Sequence, residues 1–227
     1  MVGHKLVQNP KAARVINGPA VVVDRLPLYA RCLALLQSRG QQVVSSSDLA
    51  RLSRVTPAQI RKDLSYFGRF GKQGRGYNVG ELLEELWRIL GLDRQWRMAL
   101  VGAGKVGRAL LEYGGFASQG FQVVQAFDVD HQIVGQKVGS VVVRHVSELE
   151  QRLREDPVDI GIVAVPAVEA QAVVNTLVGC GVKAILNYAP LCPRRPPDVE
   201  LRQIDPILAL QSMTFHLKAL EGPAKRR

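Results

Sequence analysis

The sequence predicts an α/β protein in which a helix-rich N-terminal unit precedes a doubly wound parallel sheet and one C-terminal helix. Three observations support this fold class. Apolar residues recur at helical spacing between residues 25 and 90, where glycines also cluster. Short β-branched runs alternate with helical segments between residues 98 and 186, which is typical of parallel βαβ units. Helical spacing returns after residue 205.

The composition is that of a globular protein with one large domain or two modest ones, since the 227 residues are 47% hydrophobic and 22% charged. The sequence has no apolar run of 18 residues and no secretory signal, so we expect no membrane span and a cytoplasmic location. Three scattered cysteines, Cys32, Cys180 and Cys192, predict neither a disulfide framework nor a zinc site.

The net charge of +10 is concentrated in the first part of the chain. Residues 1–90 contain 14 Lys and Arg and 6 Asp and Glu, a surplus of +8, whereas residues 91–227 contain 16 and 14, a surplus of +2. This asymmetry indicates a polyanionic partner for the N-terminal part, and favours nucleic acid over membrane. A solvated basic surface is the alternative.

The first elements follow from periodicity and capping. Residues 1–24 show no clear period and are predicted to be a flexible extension. A helix is predicted over residues 25–39, ended by Gly40, with an inward face of Leu26, Tyr29, Leu33 and Leu36. Hydroxyls at residues 45–47 can cap a short helix over residues 48–53, with Leu49 and Leu52 inward.

The segment from Thr56 to Gly68 has the start and the two faces of a DNA recognition helix. Thr56 is a capping hydroxyl, Pro57 suits the first helical position, and Gln59 falls where a capping box requires it. The predicted buried face is Ile60, Leu64 and Phe67, and the opposite face is Ala58, Arg61, Lys62 and Ser65. Arg can fork onto guanine in a major groove, while Lys and Ser reach phosphates or base edges. A solvated helix face is the alternative.

The glycine-dense segment that follows predicts a basic hairpin. Four glycines, Gly68, Gly71, Gly74 and Gly76, alternate with Arg69, Lys72, Arg75 and Tyr77. Arg75 lies between two glycines and suits a minor groove or a phosphate. Together with a closing helix over residues 79–90, this arrangement predicts a winged helix. The candidate DNA-contacting residues are Ser47, Thr56, Ala58, Gln59, Arg61, Lys62, Ser65, Tyr66, Lys72, Arg75, Gly76 and Tyr77.

The segment Gly102-x-Gly104-x-x-Gly107 follows a predicted strand, opens a helix, and is answered by a second strand over residues 121–127 that ends in Asp128. In this context the first glycine makes the turn, the second admits a pyrophosphate at the helix N-terminus, and the third lets helix pack on strand. Asp128 would accept hydrogen bonds from the ribose hydroxyls and repel a 2′-phosphate, which favours NAD(H) over NADP(H).

The remaining sheet is predicted from alternating segments, with strands over residues 141–143, 160–165 and 184–186 and helices over residues 147–154 and 167–180. Strand ends face ligands in such sheets, which makes residues 165–166 and 187–190 candidate pocket walls; ordinary turns are the alternative. The candidate cofactor-binding residues are Gly102, Ala103, Gly104, Lys105, Val106, Gly107, Asp128, Val129, Val165, Pro166, Asn187, Tyr188, Ala189 and Pro190.

Catalysis is not expected. No Tyr-x-x-x-Lys follows the glycine turn, and the four histidines have neither an evident acid partner nor metal-ligand spacing. We therefore predict no catalytic residue and no metal. The last helix begins at the cap pair Asp205-Pro206, and its apolar spacing requires a partner surface on its own domain or on a second subunit.

These motifs resemble one known family. The chain resembles the Rex redox-sensing transcriptional repressors of bacteria over about residues 25–220, most specifically in the runs 57–68, 99–104, 126–130 and 185–190 and in Gly74-x-Gly76-Tyr77. The resemblance implies a homodimer with paired Rossmann domains and a C-terminal helix swapped onto the partner subunit. It also implies that NADH releases the protein from a palindromic operator.

The resemblance further implies three residues that couple the cofactor to the DNA-binding part, namely Arg31, Tyr113 and Asp205. Family members often have Phe after that Asp, near the partner's nicotinamide, whereas this chain has Pro206. The nicotinamide contact is therefore expected to differ here.

The predicted organisation is a flexible extension (1–24), a winged-helix DNA-binding domain (25–92), a Rossmann NAD(H)-binding domain (93–204), a swapped helix (205–221) and a tail (222–227). The expected partners are double-stranded operator DNA, NADH or NAD⁺, and a second copy of the chain. The alternatives are a winged-helix repressor that senses another nucleotide, such as a coenzyme A ester, and an NAD-dependent dehydrogenase with an accessory DNA-binding domain.

Overall fold

The computed structural model describes residues 18–71 and 75–220. The chain divides into two compact units, residues 1–93 and residues 94–227.

The first unit is helical with one short sheet. Its helices are α1 (Ala20–Val23), α2 (Leu26–Ser38), α3 (Ser46–Ser53), α4 (Pro57–Ser65) and α5 (Val79–Ile89). Its strands β1 (Val43–Val44) and β2 (Tyr77–Asn78) pair antiparallel, with Val44 opposite Tyr77. α3 and α4 are consecutive helices joined by a short turn, as in a helix–turn–helix.

The predicted inward face of α2 is confirmed, since Leu26, Tyr29, Leu33 and Leu36 are all buried. The helix ends before Gly40, which has φ +76°. The predicted hydroxyl cap of α3 is confirmed at Ser45, but the expected start at residue 48 and the inward position of Leu52 were wrong. Ser45 is the cap, because its hydroxyl accepts from the Asp48 amide, so the helix begins at Ser46. Leu52 is 39% exposed rather than inward, because in this eight-residue helix the buried stripe runs through Leu49 and Ser53.

The expectation that residues 1–24 form a flexible extension was wrong at its C-terminal end. Residues 20–23 form α1, and Val22 is buried. Four residues are too few to display a helical period, so burial of one side chain, rather than a pattern, stabilises this turn. Residues 1–17 lie outside the described part of the chain.

The glycine-dense segment differs from a self-contained hairpin. Its last strand, β2, pairs with β1, which precedes α3. The two paired strands are therefore separated in sequence by α3, α4 and the glycine-dense segment. At Gly76 (φ +74°) a Cβ would lie 2.6 Å from the Val44 carbonyl oxygen, so this glycine is needed for the strand pairing. Residues 72–74, and with them the predicted contact Lys72, lie outside the described residues.

The second unit has a seven-stranded sheet. Its strands are β3 (Trp96–Val101), β4 (Phe121–Asp128), β5 (Lys137–Val138), β6 (Val141–His145), β7 (Ile160–Val163), β8 (Ala184–Asn187) and β9 (Glu200–Gln203). The order is β5-β6-β4-β3-β7-β8-β9, with every pair parallel except β5 with β6. Apart from β5, this is the 3-2-1-4-5-6 order of a doubly wound dinucleotide-binding sheet, with its switch point between β3 and β7.

The helices of this unit are α6 (Lys105–Leu111), α7 (Leu149–Glu155), α8 (Ala167–Gly179) and α9 (Pro206–Leu220). The predicted α/β class with a parallel sheet is confirmed. Two strands were missed. β5 has only two residues and is made by a turn at Gly139 (φ +59°), and β9 is a half-exposed edge strand that alternates Glu, Leu, Arg and Gln after a proline-rich loop. Neither has the apolar run that identifies a buried strand.

The C-terminal helix α9 begins at the predicted cap, because the Asp205 carboxylate accepts from the Ile207 amide at 2.9 Å. Its large apolar side chains are exposed, and they are Ile207, Leu208, Leu210, Met213, Phe215 and Leu217. Within the described chain this helix therefore has no covered apolar face.

Candidate DNA interface and nucleotide cavity

The face of α4 predicted to read DNA is open to solvent. Ala58, Arg61, Lys62 and Ser65 are all exposed, whereas Ile60 and Leu64 on the other side are buried. The Thr56 hydroxyl accepts from the Gln59 amide at 3.2 Å, and Pro57 occupies the first turn, so the helix begins where the sequence predicts. This geometry offers two cations and a hydroxyl on one helical surface.

Arg61 is oriented by the neighbouring helix. Its Nη1 donates to the Ser46 hydroxyl at 2.9 Å, and Ser46 is the first residue of α3. Ser47 and Tyr66, also predicted to contact DNA, are exposed at the start of α3 and just after α4. Ser46 was missed, because a run of three serines gives no signal that separates the cap from its neighbours.

Gln59 has a different partner from the one its spacing predicts. In a capping box its amide would return to the N-cap residue, but here Nε2 donates to Asp63 Oδ1 at 2.6 Å. The same carboxylate accepts a bidentate fork from Arg25 at 2.6 and 2.7 Å and the Tyr29 hydroxyl at 2.7 Å. The only signal in the sequence is an acidic residue on the apolar face, three positions after Ile60.

This cluster of Arg25, Tyr29, Gln59 and Asp63 keeps the carboxylate ionised. Burial alone raises the pKa of Asp63, but the hydrogen bonds from Arg25, Tyr29 and Gln59 outweigh burial and hold this pKa below its ordinary value. Burial, followed by the hydrogen bond to Asp63, raises the pKa of the Tyr29 phenol, which therefore remains a donor.

The end of the glycine-dense segment has mixed exposure. Arg75 is exposed, consistent with a role at a surface. Tyr77 is buried in the core of the first unit, and burial raises the pKa of its phenol. This position favours packing over a DNA contact for the Tyr77 ring.

The three glycines of the turn after β3 meet different surroundings. A Cβ at Gly102 (φ +97°) would lie 2.4 Å from the Ala164 carbonyl oxygen, and one at Gly107 would lie 1.8 Å from the Gly102 carbonyl oxygen. These two glycines are required by the packing of the turn and of α6. A Cβ at Gly104 would meet nothing within 4 Å, so this glycine borders open space on the side where a ligand can approach.

Asp128 lies at the end of β4 and is 8% exposed. Its Oδ2 accepts from the Ala103 amide at 2.5 Å and its Oδ1 from the Asp130 amide at 2.9 Å. The carboxylate thus ties the glycine turn to the loop after β4. An ionised carboxylate has about four acceptor positions, so two backbone bonds leave further capacity for a ligand hydroxyl.

A cavity of about 590 Å³ lies beside these residues. It is lined by six of the predicted cofactor residues, Gly102, Gly104, Asp128, Val129, Val165 and Pro166. Its further apolar wall was missed and includes Ile133, Val146, Leu149 and Val173. Ile133 lies in the loop after β4, Leu149 in α7 and Val173 in α8, where strand ends give no signal, whereas Val146 directly follows the end of β6.

The other predicted cofactor residues lie away from the wall of this cavity. Ala103 and Gly107 are buried beneath the turn, and Lys105 and Val106 are exposed on α6. Asn187 is fully buried, and its amide nitrogen donates to the Leu191 carbonyl and to the Gln203 side chain, each at 2.7 Å. This bonding closes the loop of residues 187–191, which also carries Tyr188, Ala189 and Pro190, against β9.

The three predicted coupling residues occupy surface positions. Arg31 is exposed on α2, and Asp205 caps α9. Tyr113 is 60% exposed just after α6 and packs edge-on against Phe116, with ring centroids 5.2 Å apart. Within the described residues no three His, Cys, Asp or Glu side chains are grouped as metal ligands, and no helix there has the length and hydropathy of a membrane span.

Two family models match different parts of this chain. The family model described as a putative DNA-binding protein N-terminus matches residues 19–65, and the model described as a CoA binding domain matches residues 93–191. The redox-sensing transcriptional repressor Rex of Chloroflexus aggregans is 49% identical over 199 residues, which are 88% of this chain and 94% of that protein. Rex of Streptomyces coelicolor is 43% identical over 211 residues, 93% of this chain and 82% of that protein.

Solved structures that resemble this chain also come from the Rex family. The structure of RSP in complex with β-NAD⁺ and operator DNA has a TM-score of 0.85 and 36% identity, and covers 92% of this chain and 99% of that one. The structure of RSP in complex with β-NADH has a TM-score of 0.82 and 35% identity, with 90% and 96% covered. RSP is described as a Rex-family repressor.

Proposed function

Because this chain belongs to the Rex family of redox-sensing transcriptional repressors, we propose that it binds a palindromic operator as a homodimer and is released from it by NADH. It is a repressor and not an enzyme. The observation that carries the proposal is the presence in one chain of an exposed cationic recognition face on α4 and a cavity bounded by Gly104 and Asp128.

The first unit acts as a winged helix in this proposal. α4 lies in a major groove, where the Arg61 guanidinium forks onto a guanine edge, and Lys62 and Ser65 contact phosphates or base edges. Arg75, in the glycine-dense wing, contacts a phosphate or a minor groove. The exposure of these side chains and the +8 surplus of residues 1–90 support this role.

The second unit binds NAD(H). The pyrophosphate passes over Gly104, whose missing side chain leaves open space, and Asp128 accepts from the ribose hydroxyls. The buried negative charge of Asp128 disfavours a 2′-phosphate and hence NADP(H). An apolar environment around the nicotinamide would cost more desolvation free energy for the charged ring of NAD⁺ than for the neutral ring of NADH.

The homodimer accounts for α9. Six large apolar side chains of this helix are exposed in the single chain, and packing on a partner subunit would cover them. The partner subunit's α2 is a suitable acceptor, because Leu28 and Leu35 are exposed three and four residues from Arg31 on one face. In this swapped arrangement Asp205 at the start of α9 reaches the partner's Arg31, which we propose as the coupling contact.

Two other functions are outcomes of the test. A coenzyme A ester as the ligand is suggested by the family model that matches residues 93–191. Asp128 disfavours it, because coenzyme A carries a phosphate on its ribose, as NADP(H) does. A dehydrogenase is disfavoured by the family, and turnover of NADH with simple carbonyl substrates would reveal one.

The decisive experiment is fluorescence anisotropy with a DNA fragment from upstream of the protein's own gene, with NADH titrated in and NAD⁺ as the control. Release by NADH at concentrations where NAD⁺ has no effect supports the proposal. Tight binding that neither nucleotide changes, but that a coenzyme A ester reverses, favours the alternative ligand.

The coupling contact has its own variant. Asp205→Ala is expected to retain NADH binding but to lose NADH-induced release, since reciprocal coupling of ~1–3 kcal/mol between two sites vanishes when the contact is removed. Release by NADH at the wild-type concentration in this variant would show that Asp205 is not the coupling residue.

A further inference from the structure

The recognition helix contains one carboxylate that does not face solvent. Asp63 is 0% exposed, and both of its oxygens are fully engaged. Oδ1 accepts from Arg25 Nη2 and Gln59 Nε2, and Oδ2 accepts from Arg25 Nε and the Tyr29 hydroxyl, all at 2.6–2.7 Å. About four acceptor positions of an ionised carboxylate are then filled. Asp63 has no capacity left for a contact with DNA.

These bonds join two helices in a defined orientation. Arg25 immediately precedes α2 and Tyr29 lies within it, whereas Asp63 belongs to α4. A planar guanidinium that forks onto a carboxylate constrains both the distance and the twist between its two supports. Gln59, one turn earlier on α4, holds the carboxylate from its own helix. The rotation of α4 about its axis is therefore fixed against α2.

This rotation determines what α4 can read. Side-chain tips lie about 5–6 Å from a helix axis, so a rotation of about 20° displaces them by roughly 2 Å. Hydrogen bonds to base edges tolerate only a few tenths of an ångström around ~2.7–3.2 Å. Contacts of Lys62 with phosphates would survive such a displacement as an attraction between charges, but a bidentate fork of Arg61 onto a base would not.

We propose that Asp63, held by Arg25 and Tyr29, is a positioning residue that sets the operator selectivity of α4 without contacting DNA. The inference rests on the proposed function, because it concerns how the same DNA-reading helix is held. It separates selectivity, which depends on the orientation of α4, from overall affinity, which depends on the cations exposed on it.

The test is Arg25→Lys, which keeps the charge next to Asp63 but removes the fork. The matched control is Arg88→Lys, since Arg88 pairs with Glu85 on α5 and is 63% exposed. Anisotropy measures the affinity for the operator fragment and for a scrambled duplex of equal length over a range of salt concentrations. NADH binding and circular dichroism confirm that each variant is folded.

Arg25→Lys is expected to bind the operator about tenfold more weakly than the wild type, because the rotated helix loses one charge-assisted hydrogen bond from Arg61 to a base. Its affinity for the scrambled duplex is expected to equal that of the wild type. The slope of log K against log salt stays unchanged, because no phosphate contact is lost. Tyr29→Phe, which keeps the ring in the core, shifts selectivity in the same direction by a smaller factor. Arg88→Lys changes neither quantity.

Equal weakening on both duplexes, or a salt slope smaller by about one, would make Arg25 a phosphate contact and overturn the inference. Unchanged selectivity in Arg25→Lys would overturn it as well. If Arg25→Lys does not fold, unchanged selectivity in Tyr29→Phe decides against it. A wild-type protein that does not prefer the operator would overturn the proposed function itself, which is a different result.

Discussion

Gly104→Ala adds one carbon atom that is expected to weaken cofactor binding without disturbing the fold. The new Cβ would meet no protein atom within 4 Å, and the residue has φ −65°, which L residues adopt. Stability is therefore expected to change by less than ~1 kcal/mol, because the smaller freedom of alanine in the unfolded chain stabilises the protein while the loss of glycine from the N-cap of α6 opposes this gain.

The same methyl group occupies the space through which the proposed pyrophosphate passes. A displaced pyrophosphate loses at least one charge-assisted hydrogen bond from the turn, worth ~1.5–3 kcal/mol. The Kd for NADH should therefore rise about 10- to 100-fold. Gly179→Ala is the matched control, because a Cβ there also meets nothing within 4 Å and the residue ends α8 outside the cavity wall.

Calorimetric titration with NADH and thermal unfolding measure the two quantities independently. An unchanged NADH affinity in a stable Gly104→Ala protein would refute the placement of the pyrophosphate over this glycine. A large loss of stability would refute the argument from open space. Gly107→Ala is the opposite case, since its Cβ would lie 1.8 Å from a carbonyl oxygen, and it is expected to destabilise the second unit outright.

Three further predictions concern the charged groups. Asp128→Asn should bind NADH more weakly and narrow the preference for NADH over NADPH, as paired titrations would show; an unchanged preference would mean that another group excludes the 2′-phosphate. Arg61→Ala should abolish operator preference while NADH affinity stays at the wild-type value, and anisotropy with operator and scrambled duplexes checks this; a preference that survives would remove Arg61 from base reading. The pKa of Asp63 is held below its ordinary value in the folded protein, so its contribution to stability is present above about pH 4 and is lost as pH falls through the folded-state pKa. Urea unfolding from pH 6 to pH 2.5 should show this loss in the wild type but not in Asp63→Asn, and parallel curves would contradict it.

The sequence predicted those features whose signal is local. The start of α4 at Thr56 and Pro57 follows from capping, and the turn at residues 102–107 follows from glycine spacing. Side-chain partners over long separations had no such signal. The bond between Asp63 and Arg25 spans 38 residues, and β9 becomes a strand only because β8 provides an edge for it. The helix α1 was missed for the same cause, because this single turn is stabilised by burial of Val22 and not by a pattern in the sequence.

The two buried aspartates show how hydrogen-bond accounting separates positioning from binding. Asp63 accepts four hydrogen bonds from side chains and lines no described cavity, so its acceptor positions are filled by donors of the protein itself. Asp128 accepts two bonds, both from backbone amides, and lies on the wall of the 590 Å³ cavity. A carboxylate that is half satisfied in a nearly buried position is costly unless a further donor completes it. Ribose hydroxyls supply such donors, and that requirement makes Asp128, rather than Asp63, the acidic residue expected to bind a ligand.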